Sequence, residues 1–188
     1  MEAREPISLN AVNTDGLGLQ VQFFWHQDRH CHTISLLVDD RRIPVFESVE
    51  GSNVEDWPPS PALQQLSVEE LRPDTLVGLL VGMAGKSHYS ISIEPTSGRA
   101  AFVFDVACRS SEPPEQLGSG YLLVAHGLTP DGDHDAIISV EGRTMVIRCD
   151  RDGETTAKIK DDQLGTRIEP AMINSGGTTR WRYTIELG

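Results

Sequence analysis

Apolar and polar positions alternate most clearly between Ser87 and Arg109. Tyr89, Ile91 and Ile93 alternate with His88, Ser90, Ser92 and Glu94; further on, Phe102, Phe104, Val106 and Cys108 alternate with Val103, Asp105 and Arg109. A period of two marks a strand that buries one face. Pro95, Thr96, Ser97 and Gly98 lie between the two runs and have turn chemistry, since proline pre-sets the first turn dihedral and glycine accepts a positive φ. With those residues as the loop, Ile93 faces Ala100, Ile91 faces Phe102 and Tyr89 faces Phe104, while His88 meets Asp105 on the polar face. A slip of one residue would set apolar faces against polar ones, so the pattern selects the register.

The same rule predicts a first hairpin. Leu17, Leu19, Val21, Phe23 and Trp25 alternate with polar or small residues, and a loop over residues 27–30 returns the chain so that Trp25 faces His32 and Phe23 faces Ile34. A turn at residues 39–42 leads into Ile43, Val45 and Phe46, where Pro44 lacks a donor and argues for an edge strand. Residues 50–73 break the pattern. Their prolines favour extended geometry, and residues 63–70 permit short helical turns, so the segment reads as a crossover or lid. Residues 75–81 form a buried apolar run, residues 82–85 a bulge or turn, and residues 121–126 a strand whose faces are not assignable. Residues 136–140 and 143–149 pair about Glu141 and Gly142. Asp152 and Gly153 signal a further hairpin that sets Val146 opposite Ile159. The last strand carries Trp181, Tyr183 and Ile185 on one face. Residues 85–94 can be laid on 177–186 without a gap, but strands built by one alternation rule resemble each other by chance.

Together these segments predict an all-β chain of about ten to twelve strands in a single domain, residues 1–188. Successive hairpins favour an antiparallel meander closed as a calycin-like barrel; a two-sheet β-sandwich is the alternative.

Charge narrows the partners. With 28 acidic against 16 basic residues the net charge is -12, which repels nucleic-acid phosphates and anionic membrane surfaces. No run approaches the ~20 apolar residues of a membrane-spanning helix, and the first residues lack a secretory pattern, so a soluble cytoplasmic protein is expected. Cys31, Cys108 and Cys149 are odd in number and far apart, which suits reduced thiols better than a disulfide framework.

Chemistry-bearing clusters are sparse. His26, Asp28, His30, Cys31 and His32 lie close in sequence, and His30 and His32 share a face as a metal pair would, yet no third ligand follows at a metal-site spacing. His88 opposite Asp105 could orient an imidazole for general-base work, but no strained nucleophile turn accompanies them. Asp131, Asp133 and Asp135 imitate the start of a calcium loop without its later glycine and glutamate. Gly82, Gly85, Lys86 and Ser87 end like a phosphate loop with the wrong glycine spacing and a strand behind them. Cys31 near His26 is the one candidate reactive thiol.

No metal and no cofactor are therefore expected. The sequence points to a non-catalytic β-rich binding or interaction module, its counterpart a small apolar molecule or a protein partner. Trp25, His32, His88 and Asp105 are the ligand-binding candidates. Trp25 and His32 would sit at the mouth of the first hairpin, either walling a pocket or plugging the core. The alternative is an enzyme with a histidine-centred site, at His32 or at His88 with Asp105.

Overall fold

A computed structural model describes residues 5–52, 54–124, 128–162 and 165–188. The chain is all-β, in two antiparallel sheets. The seven-stranded sheet holds β1 (Ile7–Val12), β2 (Gly18–His26), β3 (Arg29–Val38), β4 (Arg41–Ser48), β9 (Ser119–Leu123), β14 (Gly165–Pro170) and β13 (Ala157–Asp162), in that spatial order. The eight-stranded sheet runs β10 (Leu128–Asp131), β11 (Asp135–Val140), β12 (Arg143–Cys149), β15 (Gly177–Leu187), β8 (Ala101–Ser110), β7 (Ser87–Pro95), β6 (Thr75–Ala84) and β5 (Gln65–Arg72).

Neither sheet closes, and β1, β13, β10 and β5 remain edges. The calycin-like barrel is therefore not formed, and the two-sheet arrangement fits. A barrel meander needs each hairpin to add beside the last, whereas β15 occupies the free edges of both β8 and β12. The chain also changes sheet between β4 and β5, β8 and β9, β9 and β10, β12 and β13, and β14 and β15. The inner faces are dry and aromatic: Phe23, Phe46, Phe102, Phe104, Trp181 and Tyr183 are all fully buried. Phe104 and Tyr183 stack on neighbouring strands with ring centroids 4.9 Å apart.

The expected strands form with the expected faces inward, but the registers differ by even steps. In the central hairpin Tyr89 pairs with Cys108, Ile91 with Val106 and Ile93 with Phe104, and Pro95, expected in the loop, pairs with Phe102. His88 therefore lies opposite Arg109, not Asp105. The turn moves along the chain to residues 96–101, where the Arg99 amide donates to the Thr96 carbonyl (3.1 Å) and the Ala100 carbonyl accepts from the Leu187 amide of β15 (2.9 Å). Arg99 also pairs with Glu186 on that strand, so β15 sets the loop length.

The first hairpin closes more tightly than expected. Gln27 takes φ +54° in a two-residue turn, so Phe23, not Trp25, faces His32, and Trp25 faces His30. Arg29 joins the strand because its buried guanidinium is held by Asp28 (2.9 Å) and the Ser52 carbonyl (3.3 Å).

Pro44 is not on an edge strand, since β4 lies between β3 and β9. A bulge between Ile34 and Ser35 leaves Val45 as the extra residue, and both Val45 and Phe46 turn inward. Residues 65–70, expected to include helical turns, belong to edge strand β5. Residues 82–84 continue β6, and the turn comes at Gly85 and Lys86.

The Glu141–Gly142 hairpin forms as expected, but the one at Asp152–Gly153 does not. A short 3-10 turn there carries the chain to the other sheet, where Ile159 pairs with Ile168, while Val146 pairs with Ile137 and Glu186. The strand expected over 121–126 begins earlier, as β9; Ala125 and His126 lie outside the described residues.

Phe104→Ala is expected to cost about 3 to 5 kcal/mol in chemical denaturation, the range for deleting a buried aromatic ring. A loss near zero would place that face outside the core.

Candidate functional site

The interior contains one polar chain. His32 projects from β3 between Phe23 and Phe104, and its Nε2 lies 3.1 Å from the Tyr121 hydroxyl. Tyr121 in turn meets the Tyr183 hydroxyl at 2.7 Å, and the neighbouring Trp181 indole N–H donates to Ser119 Oγ at 3.0 Å. Burial drives the His32 pKa down from 6.5 to about 4, and pushes both tyrosines up. The imidazole is thus neutral at pH 7 and walled off from solvent. Its backbone amide donates to Ser48 Oγ (3.0 Å), which donates to Glu50 Oε1 (2.6 Å).

Glu50 belongs to a second buried cluster, at the turn end of the first hairpin. Burial raises its pKa from 4.5 to about 7, against the Ser48 hydrogen bond and the nearby Arg29 charge. Cys31 sits in the same field. Burial and Glu50 push its thiol up to about 12, the opposite of activation. Cys108 rises to about 11 and Cys149 to about 12, again through burial, and all three cysteines are free. Residues 49–64 seal this end: the His30 amide donates to the Leu63 carbonyl (2.7 Å), and Ala62 and Leu63 are buried. Trp25 is half-buried and meets His30 edge to face at 5.0 Å.

The outer face of the eight-stranded sheet differs in kind. Residues 75–81 are not buried on both sides. Leu79, Val81 and, in the continuation of the strand, Met83 are exposed by 42%, 47% and 50%, and form an apolar stripe along β6. Cross-strand pairing extends this stripe into two rows. One runs Val81, Ser90, Ala107 and Arg180; the other runs Met83, His88, Arg109 and Thr178. Apart from Arg180, these residues line an open groove of about 690 Å³, walled at one side by Gln64 and Gln65. The Gln64 side chain accepts from the Met83 amide (2.7 Å) and donates to its carbonyl (3.1 Å), which replaces strand pairing where β5 has ended. An adjoining hollow of about 710 Å³ shares His88 and Arg109 and adds Lys86, Ser110 and Ser111.

The four candidates thus separate. His32 is a core group and Trp25 lies at the sealed hairpin end. His88 is exposed in the groove. Asp105 lies on the same face but is held by Arg180 through both carboxylate oxygens (3.0 and 2.9 Å), so it does not orient His88. Sequence reading did not single out Tyr121, Glu50 or Met83 as site residues. The spacing of Leu79, Val81 and Met83 holds the signal for the last, but residues 75–81 read as a buried run and Met83 as part of a bulge or turn. No group of three or more His, Cys, Asp or Glu side chains is placed to hold a metal among the described residues. No helix is long and apolar enough to cross a membrane among them. The chain matches no known family model, and no curated protein is recognisably similar to it in sequence.

The two shifted buried groups oppose each other. Between pH 4 and 6.5 the unfolded chain protonates His32 and the native one does not, so this contribution is intact above pH 6.5 and lost as pH falls toward 4. Native Glu50 keeps a proton that the unfolded chain has released, so its contribution is intact below pH 4.5 and lost as pH rises through 7. Glu50→Gln should therefore uncover a rise of unfolding free energy with pH between 4.5 and 6.5 that is muted in the native protein. Urea titrations across that interval test it, and an unchanged profile would sink it.

Proposed function

We propose that this protein is a non-catalytic β-sandwich binding module whose ligand, a small molecule with substantial apolar surface, lies in the outer groove of the eight-stranded sheet. The observation that carries this reading is the exposed pair Val81 and Met83 within a concave surface, with exposed Leu79 continuing the stripe along β6 beyond it. Large apolar side chains exposed side by side cost solvation, and they are found where something covers them. The groove also has the composition of a ligand site, an apolar floor with a few polar groups at its margin.

The interior supports the same choice by contrast. His32 is buried among aromatic rings, and its titratable neighbours Tyr121 and Tyr183 are themselves buried with their pKa values pushed up, which does not favour acid–base work near neutral pH. Reduced, buried cysteines support a soluble cytoplasmic setting.

A neutral solvatochromic dye such as Nile red is expected to gain fluorescence with the native protein. Met83→Lys and Val81→Lys should each abolish the gain with the circular dichroism unchanged. If the dye does not bind, the binding reading fails. If Trp25→Ala removes the signal and Met83→Lys leaves it, the site belongs at the mouth of the first hairpin instead.

A further inference from the structure

The groove is polarised across its strands. Val81 and Met83 on β6 are apolar, His88 and Ser90 on β7 are polar, and Arg109 on β8 is cationic. Met83, His88 and Arg109 stand directly abreast in neighbouring strands. Two strand spacings separate Met83 from Arg109, about 10 Å.

The cations around the groove differ in availability. Lys86 is held by Glu112, and Arg180 by Asp105. Arg109 is exposed and has no ion pair among the described residues. It lies in the zone that the apolar groove shares with the adjoining polar hollow. In a chain of net charge -12, an unpaired guanidinium beside an aliphatic floor is a local exception to the surrounding field.

We propose that the ligand is a single-chain aliphatic carboxylate, its tail over Val81 and Met83 and its carboxylate on Arg109. This rests on the groove reading above. A planar guanidinium matches a carboxylate with two parallel hydrogen bonds, and the Thr178 hydroxyl, abreast of Arg109 on β15, offers a further donor. A tail reaching across two strands has the span the groove presents. The net charge argues against an anionic membrane as the source, because long-range repulsion would oppose docking to a charged surface while leaving one small anion free to enter.

The test uses three ten-carbon probes on the full chain, decanoate, decanol and decyltrimethylammonium, each below its micellar concentration and titrated against bound Nile red. Decanoate should displace the dye at the lowest concentration and the ammonium at the highest. Arg109→Gln should weaken decanoate about tenfold and leave decanol unchanged, since it deletes one charge-assisted contact from an exposed position. Added salt should reduce the decanoate advantage in the native protein.

If decanol and decanoate bind alike, the carboxylate assignment is overturned while the apolar groove stands. If decanoate keeps its advantage in Arg109→Gln, the head group is not on Arg109 and the proposal is overturned in that form. If neither decanol nor the dye binds, the groove reading falls with it. An unchanged thermal midpoint in Arg109→Gln keeps a folding defect from passing for support.

Discussion

A hydrogen bond between two buried tyrosine hydroxyls spans the sandwich. Tyr121 belongs to the seven-stranded sheet and Tyr183 to the eight-stranded one, and their oxygens lie 2.7 Å apart. Sheets held by apolar contact alone can slide by small steps at little cost, because burial has no direction. A buried hydroxyl cannot slide, since losing its partner costs about 1 to 3 kcal/mol. The Tyr121 hydroxyl has two partners, one on each sheet, and His32 is the second. The aromatic packing around it, with Phe104 stacked on Tyr183 and near His32, therefore keeps one relative placement of the sheets.

That placement decides where chemistry can occur. The most histidine-like reactivity available to the fold, an imidazole beside tyrosine hydroxyls, is committed to holding the core together and is kept neutral by burial. On the outer sheet face, by contrast, a row of side chains runs from apolar Met83 through His88 to cationic Arg109. A sandwich with a filled interior offers ligands its faces and its ends. Here one end is closed by residues 49–64, whose Ser60 also clasps Gly120 of β9 through both backbone groups.

Alternation along the chain carried the strands of the first and central hairpins, β11, β12 and β15 with most of their inward faces, because the period of two is a local property; β1, β5, β10 and β14 were not read as strands. Register was not local. Tyr89 and Cys108 are partners because the turn sits further along the chain than expected, with Ala100 inside it and bonded to β15, and nothing between Ser87 and Arg109 encodes that contact. The Asp152–Gly153 signal failed for a related reason: β15 competes successfully for the edge of β12, and a short-range turn preference does not outweigh a five-residue ladder there. Pro44 misled because a bulge can absorb a missing donor inside a sheet. Among site residues, His88 was legible as a polar-face histidine. Its neighbours in the groove were not, since Met83 and Arg109 meet it only through pairings of β6 and β8 on either side of β7.

The position of β15 has a consequence for biosynthesis. It comes last among the described strands, yet it sits in the interior of its sheet between β12 and β8. During translation, β8 is complete at Ser110 and must wait for residues up to Leu187 before its second edge is covered. At about 5 to 20 residues per second, that interval is roughly 4 to 15 s. Throughout it, a strand carrying Phe102, Phe104 and Val106 has one unpaired edge, and the eight-stranded sheet is complete only once β15 has been made.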